Sequence, residues 1–542
     1  MIGVHQDSVK VIVESKEDCQ YNSNSQKQPQ HEYNNEMLPL IAIFLASAII
    51  RIYLVARDSV PFAYDMGRDL LWAKDISYYG ILTLIGPAAS IWGVYFPPFW
   101  FYFLSVSLRL SGGHPLSAVA VTSATIIAAG ILSYLLFRQL LSRFFALTLS
   151  IIILTSATLI NISTFAFHAN LLPLLTLAFI YFCYYSIAKN QLLIAVAFFL
   201  VGLMFSADPA PAVVMTFVLV SFFFIFKFYR SSNLKKIILS STAAYLLPLA
   251  PNILFELRNN FVQTQSLLAY ARGENPSLSG QLPLLQRIAN RIDIYFELIK
   301  TSFAGDNTIL ALLLLSIITF GLYIFAKNNK NEKLSLLLRL NLLTVIVSFL
   351  VMTFIFTPEV KNWYLYGLTI PLAFLITFAL HGLKSRKIIM LFLAAYMLAN
   401  ILPFAKNARI NASKSDPAQL ANQMKAIDYI YADKKENNFS VYVFTPSIYD
   451  HNYQYLFWWQ GIALDRGLPA DFAYLPNQPD YVRNKNVYKS RKPAADLVYL
   501  IIENAAENEF YTKNNWLKNF QDYQLVWEKD INNAIVLQKR QK

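Results

Sequence analysis

The stretch MLPLIAIFLASAIIRIYLVA, residues 37–56, decides the class of fold. It is almost entirely apolar, and a helix of 20 residues rises about 30 Å, the thickness of the hydrocarbon core of a bilayer. Ten further apolar runs follow it, at 116–137, 145–162, 171–188, 191–206, 209–227, 236–255, 307–326, 338–356, 363–381 and 387–405. The sequence therefore predicts a polytopic α-helical membrane protein with about eleven transmembrane helices.

Composition excludes two other classes of protein. Of the 542 residues, 56% are hydrophobic and 15% are charged, whereas a soluble domain carries about 25% charged residues. The shortage of charge excludes one large soluble enzyme. The excess of apolar residues excludes an intrinsically disordered chain, which needs low hydrophobicity and high charge.

One shorter apolar run, at 98–110, has a length typical of an interfacial segment rather than a span. If it does not cross, most basic loop residues share one side of the membrane, and the opposite short loops, 163–170 and 357–362, contain Lys361 as their sole Lys or Arg. By the positive-inside rule, the N-terminus is then cytoplasmic. The residues before the first span lack the pattern of a cleavable signal, and we expect a plasma (inner) membrane. The net charge of +13 reflects this topology, and we expect no nucleic-acid partner.

This topology divides the chain into three parts. Residues 1–36 are polar and predict a disordered cytoplasmic tail, and residues 37–405 are expected to form the transmembrane region, with outer loops at 57–115 and 256–306. The first outer loop is expected to contain amphipathic juxtamembrane helices. Residues 406–542 alternate strand-like and helix-like pieces, such as 440–446, 496–502 and 417–432. They predict a small extracytoplasmic α/β domain.

Carboxylates cluster in the first outer loop, at Asp58, Asp65, Asp69 and Asp75. Asp65 and Asp69 are four residues apart, so on a helix they share one face and repel each other unless a cation, a metal or a proton intervenes. One interpretation is a catalytic base, or a base with a divalent metal, at the membrane surface. The other is a solvated amphipathic helix with Arg68 and Lys74 as partners of the acids.

The same loop continues as GPAASIWGVYFPPFWFYF, residues 86–103. Its glycines and prolines favour tight turns, and its aromatic residues are typical of a membrane interface. Trp92, Tyr95 and Phe96 either line a pocket for an amphiphilic lipid-linked substrate or simply anchor the loop at the interface.

This order of motifs resembles the GT-C glycosyltransferases, the group with protein mannosyltransferases and lipid A aminoarabinose transferases (glycosyltransferase family 39-like). The resemblance rests on a first span, an outer-loop Asp65 that opens an amphipathic helix, and Phe96-Pro97-Pro98-Phe99 before the second span. It implies a polyprenyl-phosphate sugar donor, inversion at the anomeric carbon and Asp65 as catalytic carboxylate, with Asp69 beside it.

The chain departs from the family pattern at two positions. Met66 replaces a Glu and Phe96 replaces a Lys that would meet the donor phosphate. The leaving phosphate needs compensating charge, for which the candidates are Arg57, Arg68, Lys74, Arg258 and Lys361. Arg258 and Lys361 are favoured because each lies beside the outer end of a predicted span. A divalent metal held by Asp65 and Asp69 is the alternative, and no obligatory cofactor is predicted.

Four more residues are candidates for substrate binding because they lie beside Asp65 or near the outer ends of predicted spans: Tyr64, His168, Glu256 and Tyr364. Each has a structural alternative: packing for His168, an ion pair with Arg258 for Glu256, and interface anchoring for Tyr364. Asp208, between two spans, serves either as a helix cap or in a paired polar site.

The leading hypothesis is a membrane glycosyltransferase that moves a sugar from a polyprenyl-phosphate carrier to a lipid, glycan or protein acceptor outside the cytoplasm. Membrane lipids are expected to surround its spans. One competing class is a transporter or flippase of lipid-linked sugars, which predicts charged residues inside spans and paired broken helices. Another is a non-catalytic membrane scaffold.

Overall fold

The computed structural model describes residues 28–57, 60–89, 91, 93–274, 282–356, 359–410, 415–434, 438–472, 495–507, 509 and 511–542. Within them, seven helices are long and apolar enough to cross a membrane, spanning Leu116–Leu141, His168–Ala188, Leu234–Arg258, Thr308–Asn328, Glu332–Ile355, Asn362–Leu383 and Arg386–Phe404. The helices Arg143–Leu154 and Ala157–Ser163 are bent by 56° relative to each other, and they form an eighth span if the pair is counted as one. The predicted number of eleven stays a prediction.

The helices of the membrane region carry the following labels. They are α1 (Gln28–Ala56), α2 (Tyr64–Tyr79), α3 (Phe99–Leu110), α4 (Leu116–Leu141), α5 (Arg143–Leu154), α6 (Ala157–Ser163), α7 (Leu172–Ala188), α8 (Ile194–Ala207), α9 (Pro209–Ile225), α10 (Leu234–Leu246), α11 (Ala250–Arg258), α12 (Val262–Ala271), α13 (Leu284–Phe303), α14 (Thr308–Asn328), α15 (Glu332–Leu350), α16 (Thr369–Leu383) and α17 (Arg386–Ile410). Helix α1 begins at Gln28, ahead of the apolar run at 37, and residues 1–27 of the predicted tail lie outside the described residues.

Length explains which apolar runs fall short of a span. Helix α3, the run at 98–110, has 12 residues and therefore rises only about 18 Å. The apolar part of α1 and helices α8 and α9 are also shorter than the seven long helices. The bend between α5 and α6 occurs at Thr155-Ser156, where the Ser156 hydroxyl donates to the carbonyl of Ser302 at 2.9 Å.

The first outer loop folds into two amphipathic helices, α2 and α3, joined by a hairpin. Met66, Leu70 and Ala73 recur at helical spacing in α2 and are buried against the apolar face of α3. The hairpin closes through backbone bonds, including Gly86 N–H to the carbonyl of Phe96 at 2.6 Å. The predicted amphipathic helices are thus present, and they bring the aromatic stretch 86–103 back onto α2.

The C-terminal part is a small α/β unit, as the sequence predicts. Its elements are α18 (Leu420–Asp433), β1 (Phe439–Phe444), α19 (His451–Trp458), β2 (Leu497–Glu503), α20 (Lys513–Leu517), β3 (Gln524–Ile531) and β4 (Ile535–Gln541). The sheet has the order β1-β2-β4-β3, in which β1 and β2 are parallel and the other pairs are antiparallel. The carboxyl ends of β1 and β2 therefore meet at one edge.

The C-terminal unit and the first outer loop share one hydrophobic core. Met66 of α2, Trp100 of α3, Tyr455 of α19 and Leu537 of β4 belong to the same buried cluster. The backbone of α19 crosses α2 at Gly67, where an added Cβ would lie 2.2 Å from the amide nitrogen of Asn452. A glycine is required at this crossing because no larger side chain fits between the two backbones.

Backbone and side-chain bonds strengthen this junction. The amide of Phe62 donates to the carbonyl of Ala418 at 2.6 Å, and the Gln423 side chain donates to the carbonyl of Phe62 at 3.1 Å. Trp458 and Trp459 are both buried in the shared core. The C-terminal unit thus holds the segment that carries the clustered carboxylates.

Candidate active site

Arg68 joins the two clustered carboxylates of α2. Its Nη1 lies 2.7 Å from Oδ1 of Asp65, and its Nη2 lies 2.8 Å from Oδ1 of Asp69. The cation required by two carboxylates on one helix face is therefore a guanidinium. Residues 65, 68 and 69 fall within one turn of helix, which is why a single side chain reaches both acids.

Asp69 is the structural acid of the pair. It is 1% exposed, and its Oδ2 accepts a hydrogen bond from Nε1 of Trp100 at 2.9 Å. Burial alone would raise the pKa of this carboxyl, but the charge of Arg68 and the nearby His168 hold the pKa below its usual value. Asp69 is thus a fully engaged carboxylate that fixes the orientation of Arg68.

Asp65 is the accessible acid. Its side chain is 26% exposed, and the described ion pair to Arg68 engages Oδ1. The neighbouring Tyr64 ring is 37% exposed, and burial together with the hydrogen-bonded Asp65 carboxylate raises the pKa of Tyr64 to about 12. Of the two clustered carboxylates, Asp65 is the one that a hydroxyl group in solution can approach.

His168 extends the cluster toward the membrane-spanning helices. Its Nδ1 lies 3.5 Å from Oδ2 of Asp69, and its ring is 3% exposed. The ring packs against Phe96 and Phe167, at centroid distances of 4.6 and 3.9 Å. The predicted candidates Phe96 and His168 are therefore in contact with each other, and His168 borders the Asp65–Arg68–Asp69 group.

Asp208 lies in the turn between α8 and α9, on the far side of His168. Its Oδ1 accepts a hydrogen bond from the amide of Ala210 at 3.0 Å, so it caps α9 as one of the two interpretations predicts. Burial raises its pKa to about 6, against an opposing effect of His168. It also belongs to the polar site, since the same carboxylate interacts with His168 and Trp363.

The second outer loop packs on the tip of the first. The amide of Tyr95 donates to Oε1 of Gln263 at 2.9 Å, and the Tyr95 ring packs edge-on against Phe255 at 5.6 Å. Both carboxylate oxygens of Glu256 accept hydrogen bonds at the start of α12, from the amides of Gln263 and Thr264. Glu256 thus caps the start of α12, and it directly follows Phe255, the residue that packs against Tyr95.

The remaining cationic candidates lie apart from the carboxylates. Arg258 ends α11 and is exposed. The Nζ of Lys361 is 2.5 Å from Oε2 of Glu359, and both side chains are largely exposed. Tyr364 packs against Trp363, which in turn contacts Phe167. Asp58 and Trp92, which the sequence also singles out, lie outside the described residues.

The donor set does not suit a divalent metal at Asp65 and Asp69. Within the described residues, no group of three or more His, Cys, Asp or Glu side chains is arranged to hold a metal ion. A guanidinium already occupies the space between the two carboxylates, at hydrogen-bond distance from each. No step of the chemistry below is therefore assigned to a metal.

Two ionisable residues of the C-terminal unit are buried at its contact with α2. Burial raises the pKa of Asp450 to about 7, and Gln454 donates to its Oδ1 at 2.7 Å. Burial and the charge of Arg68 lower the pKa of His451 to about 3. The imidazole of His451, near the guanidinium of Arg68, is therefore uncharged at neutral pH.

Sequence reasoning missed Trp100, Gly67 and His451 as neighbours of the site. Trp100 lies in the aromatic stretch 86–103, and nothing in the sequence distinguishes it from the other aromatic residues there. The signal for Gly67 was a glycine inside an amphipathic helix pattern, which often marks a close approach of another backbone. The contact of His451 joins residues far apart in the chain, and local patterns carry no information on it.

The fold is similar to that of two solved structures. ArnT from Cupriavidus metallidurans bound to undecaprenyl phosphate matches with a TM-score of 0.58 and 11% identity, over 92% of this chain and 97% of that chain. Its apo state matches with a TM-score of 0.60 and 12% identity, over the same shares. The apo oligosaccharyltransferase from Archaeoglobus fulgidus is less similar, with a TM-score of 0.41 at 12% identity, over 85% of this chain and 69% of that chain.

No protein-family model and no curated protein sequence matches the chain. The likeness to ArnT is therefore one of fold, and it extends over most of both chains. It confirms the fold that the resemblance to the GT-C glycosyltransferases implies.

Proposed function

We propose that this protein is a membrane glycosyltransferase that transfers a sugar from a polyprenyl-phosphate donor to an acceptor outside the cytoplasm. The observation that carries the proposal is the partly exposed carboxylate of Asp65, held by Arg68 on a juxtamembrane helix. The likeness in fold to an ArnT structure that contains undecaprenyl phosphate supports the class of donor. The proposed location is a plasma (inner) membrane, and the loop charges support a cytoplasmic N-terminus and a C-terminal unit outside.

The chemistry is a single displacement at the anomeric carbon. The acceptor oxygen attacks this carbon from the side opposite the phosphate, and Asp65 accepts the acceptor's proton. The bond between the anomeric carbon and the phosphate oxygen breaks, and its electron pair leaves with the polyprenyl phosphate. Inversion of configuration follows. The leaving group is already ionised and needs little proton donation.

Arg68 and Asp69 position the base. The salt bridge of Arg68 to Asp65 fixes one carboxylate oxygen, and the engagement of Asp69 by Trp100 and Arg68 fixes the guanidinium itself. A base held in one orientation loses less entropy when the acceptor binds. Of the two acids named from the sequence, Asp65 is assigned to proton transfer and Asp69 to positioning.

Arg258 is our first choice for the donor phosphate and Lys361 the second. Two carboxylates already compensate the charge of Arg68. The ion pair of Lys361 with Glu359 is exposed, and such a pair contributes only about 0–1 kcal/mol, so Lys361 can exchange partners. Arg258 is exposed on the helix whose Phe255 packs against Tyr95, close to the aromatic hairpin. Tyr95, Phe96, His168 and Tyr364 remain candidates to line the donor site.

The decisive experiment compares two carboxylates of the same helix. Purified protein in lipid nanodiscs is supplied with undecaprenyl phosphate carrying radiolabelled glucose, mannose, galactose or arabinose, and with an extract of the source cell envelope. Asp65→Asn should lower transfer by about 10²- to 10⁴-fold, the usual contribution of a general base. Asp75→Asn, also on α2 but 44% exposed and paired with Lys74, is the control and should retain activity.

Two outcomes would refute the proposal. Transfer by Asp65→Asn at the wild-type rate would exclude Asp65 as the base. Release of intact sugar-linked lipid to the opposite leaflet, without any labelled acceptor, would favour the transporter or flippase. Thermal unfolding of both variants checks that the substitutions leave the fold intact.

A further inference from the structure

The loop between β1 and α19 contacts the residue that precedes Asp65. This loop, residues 445–450, follows the carboxyl end of β1, and the ring of its Tyr449 stacks on Tyr64 at a centroid distance of 6.1 Å and an interplanar angle of 26°. Tyr64 is the residue before Asp65 and is 37% exposed. A pair of aromatic rings from two distant parts of the chain thus flanks the accessible carboxylate.

We propose that Tyr64 and Tyr449 form the platform on which the acceptor binds, and that the acceptor presents a sugar ring to it. The proposal rests on the proposed function, since it assigns the second substrate of the same site. It gives the C-terminal unit a direct part in acceptor binding, in addition to its support of α2.

The contacts of Asp65 support the platform. Asp65 is tied to Arg68, and Arg68 also binds Asp69, which accepts a hydrogen bond from the buried Trp100. The hydroxyl group of Tyr64 interacts with the Asp65 carboxylate. An acceptor bound at the Tyr64–Tyr449 pair is therefore close to the accessible acid.

The backbone of the loop is built to present Tyr449. Ile448, the preceding residue, has φ of +70°, a left-handed conformation that is strained for a β-branched residue. The strain is offset because the Ile448 side chain is 5% exposed and packs in a cluster with Tyr442 and Phe444 of β1. Strain of this kind, of order 1–3 kcal/mol, is retained where the surrounding structure fixes it and is concentrated at ligand-binding sites.

The chemistry of the pair fits a carbohydrate better than a peptide. One face of a pyranose or furanose ring is a flat array of C–H groups that packs on an aromatic plane, and its edge carries hydroxyl groups. Aromatic rings with a few fixed polar groups are the usual composition of small-molecule sites. With its ring on Tyr64 and Tyr449, such an acceptor places a hydroxyl beside Asp65, where the base is needed. A glycan or the sugar headgroup of a glycolipid is therefore the expected acceptor class.

The test separates the acceptor from the donor. Transfer from the active radiolabelled donor is measured against increasing amounts of the glycan-and-glycolipid fraction and, separately, the protein fraction of the source cell envelope. Donor hydrolysis is measured without acceptor. Tyr449→Ala should raise the amount of glycan fraction needed for half-maximal transfer by about 10-fold, as expected for the loss of one aromatic contact. It should leave the maximal rate and donor hydrolysis unchanged, and Tyr449→Phe should restore the wild-type value.

Two further variants complete the design. Tyr449→Leu, which removes the ring but keeps an apolar side chain, should reproduce the effect of Tyr449→Ala, which keeps the proposal testable if the alanine variant fails to fold. Tyr229→Ala is the matched control, because this ring is 42% exposed and lies in the turn between α9 and α10. It should change nothing.

The results distinguish this inference from the proposed function. If the wild-type protein transfers no sugar from any donor, the proposed function itself fails. If it transfers sugar and Tyr449→Ala keeps the wild-type half-maximal amount, or loses donor hydrolysis in parallel with transfer, only the acceptor platform is refuted. Labelling of the protein fraction alone would also refute it, since the acceptor would then be a polypeptide.

Discussion

Gly67→Ala tests whether the contact between α2 and the C-terminal unit maintains the candidate site. An added Cβ at this position would lie 2.2 Å from the amide nitrogen and 2.3 Å from the Cα of Asn452. Ordinary contact begins at 3.4 Å, so α19 and α2 would have to separate by about 1.2 Å. Both obstacles are backbone atoms, and no rotation of a side chain can relieve them.

The expected cost follows from these distances. Overpacking of a close-packed contact destabilises by about 1–3 kcal/mol, and the clash of two backbones places Gly67→Ala at the upper end. The higher helix propensity of alanine returns about 1 kcal/mol. The larger effect is on activity, since Gly67 lies between Asp65 and Arg68. A displacement of about 1 Å at a catalytic group lowers the rate by about 100-fold.

The assay measures kcat/KM for sugar transfer together with the thermal unfolding of the protein in nanodiscs. Gly80→Ala is the control, because Gly80 ends the same helix at φ of +66° and has nothing within 4 Å of an added Cβ. It should cost about 1–2 kcal/mol through backbone strain alone, with kcat/KM close to the wild-type value. Wild-type transfer and stability in Gly67→Ala would refute the idea that this crossing positions the base.

Two further predictions concern buried polar groups. Trp100→Phe removes the hydrogen bond to the buried Asp69 carboxylate. We expect a loss of about 1.5–3 kcal/mol in stability and a clear fall in kcat. Unchanged thermal unfolding of this variant would show that the hydrogen bond is dispensable. Acidification from pH 8 to pH 5 should stabilise the folded protein by about 3 kcal/mol through Asp450, because the pKa of this carboxyl is raised in the folded state. The same acidification should destabilise the folded protein by about 2 kcal/mol through His451, because the pKa of this imidazole is lowered in the folded state. Asp450→Asn should therefore lose stability on acidification and His451→Gln should gain it; equal pH profiles of both variants by denaturant titration would contradict these assignments.

Local patterns in the sequence were sufficient for the class of fold and for much of the secondary structure. Apolar length predicted the membrane helices, and the alternation of strand-like and helix-like pieces predicted the C-terminal α/β unit. The i, i+4 spacing of Asp65 and Asp69 predicted a shared helix face. These features depend on residues close together in the chain, where periodicity and propensity act.

The unpredicted part of the site depends on contacts between distant residues. The sequence offered a guanidinium, a metal or a proton between the two acids, and the distances from Arg68 to Asp65 and Asp69 select the guanidinium. Nothing near Trp100 indicated that its indole would meet Asp69. The stacking of Tyr449 on Tyr64 joins positions 385 residues apart. Tertiary packing alone decides such pairs.

The core shared by α2 and the C-terminal unit sets the order in which the protein can become active during its synthesis. About 340 residues separate the end of α2 from the start of α18, so at roughly 5–20 residues per second the ribosome needs roughly 20–70 seconds to supply the second half of that core. During this time the carboxylate-bearing helix lacks the surface against which it packs. Completion of the site therefore waits for synthesis of the last segment, and a chain shortened at its C-terminus should reach the membrane without a complete candidate site.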